Sequence, residues 1–326
     1  MPSLSVRVAG LTPSVVGVLC IVAGMACVTL NDALMKWLSP TYALHQAVLI
    51  RSFFSVGLLL AIAAATGGLA QLATQRPGLH LLRGLLVIFI NSVYFLALAA
   101  MPLAEAMAIF FIAPIFITLL SVPMLGERIG PWRIAAVVIG LVGVVVMLRP
   151  GGDGLQWTAI LPVLAAVAYA FMQLLTRRLG MTDGALAMTF SMQSCFLVFA
   201  ALVGLGIGDG RFGDVDHPSL AFLLRAWTWP AWSDVLILAT CGTLVATGGM
   251  FIAQAYRLSE ATAVAPFEYT ALPIAVFWGW MLWGDVLDAV AWTGLVLIAG
   301  GGLLVLWREG RRQRPVAAVR PMPRNR

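Results

Sequence analysis

Residues 103–127 read LAEAMAIFFIAPIFITLLSVPMLGE, and residues 258–285 read LSEATAVAPFEYTALPIAVFWGWMLWGD. Each opens on Leu-x-Glu-Ala, continues as an apolar run long enough to cross a ~30 Å hydrocarbon core, and closes on Gly followed by a carboxylate. Pro114 in the first stretch has a counterpart in Pro273 in the second. Beyond them, Gly143 stands six residues before Arg149, as Gly302 stands six before Arg308. These landmarks are offset by 155, 159, 158 and 159 residues, so the register holds with small insertions. One arrangement used twice at a fixed period marks a chain built from two units.

The rest of the chain supplies the solvent for that reading. Of 326 residues, 61% are hydrophobic and 10% charged, with a mean hydropathy of +0.96. A soluble domain has about a quarter of its residues charged. Breakers such as Ser39-Pro40, Arg76-Pro77-Gly78, Met101-Pro102 and Arg149-Pro150-Gly151-Gly152 divide the apolar material into runs. The runs predict ten transmembrane helices: Val15–Trp37, Tyr42–Thr66, Leu79–Ala100, Leu103–Leu125, Trp132–Leu148, Leu155–Arg177, Gly184–Ile207, Ser233–Tyr256, Ala261–Trp283 and Val286–Trp307. The expected fold is an all-α integral membrane protein of two five-helix units, 15–149 and 150–307, between an N-terminal segment 1–14 and a basic tail 308–326. Five is odd, so the second unit enters the bilayer upside down relative to the first.

Lys and Arg set the orientation. With the N-terminus inside, the inner segments hold Arg7, Arg76, Arg128, Arg133, Arg177, Arg178, Arg257 and seven arginines from Arg308 onward, against Lys36, Arg149, Arg211 and Arg225 outside. That bias predicts both termini in the cytoplasm, and it reads the basic tail as a cytoplasmic, lipid-headgroup feature rather than a nucleic-acid site. The one long connection, 208–232, carries Asp209, Asp214, Asp216 and several aromatics. It reads as an anchor in the headgroup interface, with a gating role as the alternative.

Polar side chains inside spans are costly and tend to line a path. Arg51 is expected about 13 Å into the second span and Glu268 about 12 Å into the ninth, one in each unit at similar depth. Both are expected to face a central cavity as substrate or coupling ligands; the alternative is a structural buried ion pair. Asp32 and Lys36, four apart, share a helix face, and a local ion pair is the simplest reading, with Asp32 as a proton or gating group the other. Asn31, Asn91, Gln193 and Tyr269 are further polar candidates within spans, and the neutral amides read first as interhelical glue. Pro114, Pro266 and Pro273 are expected to break backbone bonding there and act as hinges.

Cys20, Cys27, Cys195 and Cys241 lie in apolar runs without metal-ligand spacing, so no metal and no disulfide is expected. No phosphate-binding G-x-x-x-x-G-K-[ST] loop exists, and Lys36 is the sole lysine, so direct ATP coupling is not expected and no cofactor is called for. His45, His80 and His217 stand far apart, which disfavours an intramembrane enzyme, the alternative from another class.

The ordered set Pro102-Leu103-Ala104-Glu105-Ala106, Phe111-Ile112-Ala113-Pro114 and Leu125-Gly126-Glu127-Arg128 resembles the first repeat of the EamA family of the drug/metabolite transporter superfamily. Ala265-Pro266-Phe267-Glu268-Tyr269-Thr270-Ala271-Leu272-Pro273 with Trp283-Gly284-Asp285 resembles the second, with Asp where Glu is commoner. The resemblance runs from Val15 to Trp307. It implies secondary transport of a small-molecule metabolite across the bacterial inner membrane, with a proton or counter-substrate as coupling partner. Arg51 suits a carboxylate and Glu268 an amino group or proton, so an amino acid or related compound is the leading cargo. Import of a vitamin or nucleoside-like compound such as riboflavin or S-adenosylmethionine is the alternative. Monomer and homodimer both remain open.

Overall fold

The computed structural model describes residues 13–74, 77–113, 116, 120, 131–148, 157–179, 184–258 and 265–312. Among them every regular element is helical. The first half contributes α1 (Pro13–Leu38), α2 (Leu44–Thr66), α3 (Pro77–Leu98), α4 (Leu103–Phe110) and α5 (Pro131–Leu148). The second contributes α6 (Ile160–Leu179), α7 (Ala185–Ile207), a short α8 (Pro218–Leu224), α9 (Trp232–Leu258), α10 (Ala271–Trp283) and α11 (Ala289–Arg312). Five of these hold windows long and apolar enough to cross a membrane: Val15–Leu38, Leu44–Thr66, Pro77–Leu98, Ala185–Ile207 and Trp232–Ala255. Shorter apolar helices run over Ile160–Met172 and Ala289–Gly301. Residues such as Leu205, Val198 and Val296 are exposed on the outside of the bundle, where lipid would cover them.

The two halves interlock. Along the chain, α1 packs chiefly on α9, α2 on α7 and α9, α3 on α6 and α7, α4 on α10, and α5 on α11. Lipid tails give no hydrophobic drive between helices, so contact is gained where backbones approach closely. At the α1–α9 crossing a Cβ on Gly24 would stand 3.2 Å from the Gly248 carbonyl oxygen, and one on Gly248 would stand 3.0 Å from Cys27 Cβ. Gly143 brings α5 equally close to α11, with Leu297 Cβ 2.8 Å from where its own Cβ would be.

Two expected spans are not continuous helices. Within the expected span Leu103–Leu125, α4 stops at Phe110 and the chain turns at Phe111 and Ile112, just before Pro114, where a break in backbone bonding was expected. The physical reason is Pro114, whose ring would clash with the carbonyl four residues back, that of Phe110. The ninth span begins, in its described part, as a 3₁₀ segment, Ala265–Thr270, and becomes α-helical at Ala271. Pro273 sits in the first turn of α10, where its missing N–H costs nothing. Glu268 therefore lies on the 3₁₀ segment and not on a helix barrel. Pro114, Glu127, Arg128 and the basic tail beyond Arg312 lie outside the described residues, as do the side chains of Pro266 and Gln173.

Candidate functional site

Arg51 is the largest fully buried side chain among the described residues, 1% exposed. Because α2 begins at Leu44, Arg51 is two turns into the helix, well inside the apolar layer. Its Nη1 donates to Asn31 Oδ1 of α1 at 3.3 Å. The Asn31 amide in turn donates from Nδ2 to Asp32 Oδ1 at 3.0 Å, and Asp32 lies within electrostatic reach of Arg51. The guanidinium carbon stands 5.4 Å from the ring centre of Phe95 on α3 and 5.6 Å from that of Phe196 on α7. A cation held over two ring faces keeps part of its lost hydration energy. Close packing of α9 completes the setting: a Cβ on Gly242 would stand 2.8 Å from Phe54 Cβ and 3.0 Å from the Ser55 nitrogen.

Several buried polar atoms around this centre have no hydrogen-bond partner among the protein atoms: Arg51 Nε, Ser52 Oγ, Ser55 Oγ, Tyr94 Oη and Gln193 Oε1. Buried polar groups are normally paired, so these orphans set the region apart from the rest of the bundle. Asp32 is also within electrostatic reach of Tyr94. From Tyr94 a series of rings crosses to the other half of the chain. Tyr94 meets Phe110 at 5.3 Å between centroids, Phe110 meets Tyr169 at 5.4 Å, and Phe111 meets Tyr269 at 5.1 Å. Tyr269 is buried with an unpartnered hydroxyl, and its neighbour Glu268 is carried on the 3₁₀ segment that packs against α1.

The structure thus gathers Arg51 and Asp32 directly, with Asn31 as the link that the sequence reading treated as general glue. Gln193 stands one turn from Phe196 on the same face of α7 and is 1% exposed. Asn91 bonds its own helix through the Val87 carbonyl at 3.0 Å and lines a small cavity with His45, Phe95, Phe196 and Leu223. Tyr269 joins the ring series through Phe111 rather than lying beside Arg51, and Glu268 precedes it on the 3₁₀ segment. Pro273 is exposed on α10 and faces away from it. Phe267, Phe277 and Trp280 are likewise exposed, the lipid-facing aromatics expected of that helix.

The expected Asp32–Lys36 ion pair does not form. Lys36 Nζ donates instead to the carbonyls of Leu98 at 2.8 Å and Met101 at 2.6 Å, and lies 5.3 Å from the ring centre of Trp283. Leu98 ends α3 and Met101 lies in the turn after it, where carbonyls lack helical partners, and an ammonium with three donors satisfies both well. Spacing along α1 could not reveal this, because the partners come from another helix end.

A buried cation, a carboxylate and a series of packed rings inside an apolar helical bundle define a polytopic membrane protein with a polar centre. The EamA-like transporter family matches residues 15–149. A riboflavin transporter of Rhizobium johnstonii is 28% identical over 93% of this chain and 95% of its own. An S-adenosylmethionine uptake transporter of Rickettsia prowazekii is 26% identical over 86% and 89%, and a pseudopaline exporter of Pseudomonas aeruginosa is 29% identical over 86% and 93%. A solved crystal structure superposes with a TM-score of 0.57 at 21% identity, covering 90% of this chain and 99% of that one, a likeness of fold. Residues 15–149 thus match the EamA-like transporter family, and the apolar helices are those of a multi-pass membrane protein.

Proposed function

We propose that this protein is a secondary transporter that moves a small organic metabolite by alternating access through the centre around Arg51, without ATP. The observation that carries the reading is the fully buried Arg51, set over the Phe95 and Phe196 rings and ringed by orphaned polar atoms. A charge is retained at such depth where it has a ligand or a partner to serve. The cargo that suits this centre bears both a planar ring and an anionic or carbonyl oxygen. The rings from Tyr94 to Tyr269 offer stacking faces, and Arg51 offers the donors. Relatives named for riboflavin and S-adenosylmethionine favour a ring-bearing compound, and an amino acid held by its carboxylate on Arg51 is the second reading.

Two inverted five-helix units supply the mechanics of this proposal. What supports them is the correspondence of breaks and pairings. Adding the 159-residue offset to Phe111–Ile112, where α4 has ended, gives Thr270–Ala271, where the 3₁₀ segment becomes α10. The contact of α1 with α9 is mirrored by that of α6 with α3, and α1 with α10 by α6 with α4. Halves related in this way can exchange roles when opening to either side. In this proposal both termini lie in the cytoplasm, a reading the arginine bias supports. Counterflow in proteoliposomes with riboflavin, S-adenosylmethionine and an amino-acid panel tests the reading. Saturable exchange of one compound is the expected result, and no exchange of any compound by folded protein would overturn it.

A further inference from the structure

Residues 208–231 join α7 to α9 across one end of the bundle, and they are fastened there by specific bonds. Arg225 Nη1 donates to the Ser39 carbonyl at 3.0 Å. The Gln46 side chain accepts from the Thr228 N–H at 3.2 Å and donates back to the Thr228 carbonyl. The Trp227 indole N–H donates to Nδ1 of His45. Tyr42 Oη donates to Asp234 Oδ2 at 2.6 Å and accepts from the Ala231 N–H at 3.2 Å. On the far side, Ser219 Oγ donates to the Leu96 carbonyl at 2.6 Å, and Ser219 and Phe222 are each 1% exposed. The Trp227 ring fills the space that a side chain on Gly204 of α7 would occupy.

A headgroup anchor needs none of these bonds. Trp229 and Trp232, 99% and 76% exposed, are free to anchor in lipid while their neighbours bind protein. The fastened residues Ser39, Tyr42, His45 and Gln46 form the corner between α1 and α2, whereas the segment itself hangs from α7 and α9. Every one of these corner bonds therefore joins the first half of the chain to the second. The segment also approaches the centre. Leu223 lines the small cavity whose walls include Phe95 and Phe196, the rings against which Arg51 lies, and His45 stands about 9 Å from Arg51 along the same helix.

We propose that segment 208–231 is a latch: it holds this end of the transport path shut while bonded to Ser39, Tyr42, His45 and Gln46, and it must let go for the Arg51 centre to open on this side. The proposal rests on the transport reading and adds its gate. Rocking of one half against the other cannot occur at this end while both halves share these bonds.

The test joins Gln46→Cys to Thr228→Cys with a short bis-methanethiosulfonate linker that dithiothreitol cleaves. Linked protein in proteoliposomes is expected to lose transport by about tenfold or more, with recovery on cleavage, as for a gating step that has been blocked. Linked protein that transports at the cleaved rate overturns the latch. A second readout needs no substrate: Ser52→Cys, added to the same pair, is labelled with a membrane-impermeant maleimide from the latched side. Label is expected only after cleavage, and equal labelling before and after overturns the latch. If cleaved protein gates labelling yet carries no compound of the panel, the assignment of cargo and transport fails while the latch stands. Trp227→Ala, which keeps the backbone but frees His45, is expected to raise labelling without any linker.

Discussion

Arg51 on α2 and Asn31 on α1 are joined by a 3.3 Å bond in which the amide oxygen accepts from the guanidinium, while the same amide's nitrogen donates to Asp32. The carboxamide does both at once, with its oxygen accepting and its nitrogen donating, whereas a carboxylate has no donor and an ammonium has no acceptor. The cation and the carboxylate are thereby held near one another without touching, which leaves guanidinium donors for a ligand.

Replacing Arg51 removes the charge on which the site is built. Arg51→Ala should reduce counterflow by at least about tenfold, and Arg51→Lys should recover little, since an ammonium lacks the planar fork. Glu268→Gln should alter transport as well, with expression retained in each case. Wild-type transport by Arg51→Ala or by Glu268→Gln would remove that residue from the site.

The Asn31 link should appear as non-additivity. Asn31→Leu and Arg51→Ala measured singly and together should show a coupling of about 0.5–3 kcal/mol in a double-mutant cycle on ligand-induced stabilisation. Asn31→Asp should be worse than Asn31→Leu, because it trades the donor facing Asp32 for a second carboxylate. Strict additivity would mean the two side chains act apart.

Tyr94 and Tyr269 carry buried hydroxyls without protein partners. If those hydroxyls serve the cargo, Tyr94→Phe and Tyr269→Phe should raise KM several-fold while leaving the ring series and the folded state intact, worth roughly 0.5–1.5 kcal/mol per lost bond. An unchanged KM in both variants would leave the rings as packing alone.

Lys36 fastens α1 to the end of α3 by charge-assisted bonds to two carbonyls. Lys36→Met keeps the stem and drops the donors, and should lower stability in detergent by about 1.5–3 kcal/mol. A melting temperature equal to wild type would show that the carbonyls find other partners.

Gly242 allows α9 to lie against α2 beside Arg51, with Phe54 Cβ 2.8 Å from where a Cβ would stand. Gly242→Val should push the two helices apart and cost about 1–3 kcal/mol by overpacking, with loss of ligand binding. Gly57 on α2 meets nothing within 4 Å of such a position, so Gly57→Ala is the matched control and should be silent.

Much of the fold was legible in the chain because it follows from solvent. Apolar runs of membrane length, breakers between them, the doubled landmarks at Leu103 and Leu258 and the buried charge at Arg51 are properties of single segments, set by the cost of polar groups in hydrocarbon. What could not be read was who meets whom. That Lys36 serves the carbonyls of α3 rather than Asp32, that Asn31 bridges Arg51 and Asp32, and that residues 208–231 are tied to the α1–α2 corner all depend on helices distant in sequence. Hydropathy fixes which segments enter the lipid, whereas close approach at glycines and the matching of donors to acceptors fix how they assemble, and those are decided only once the helices lie side by side.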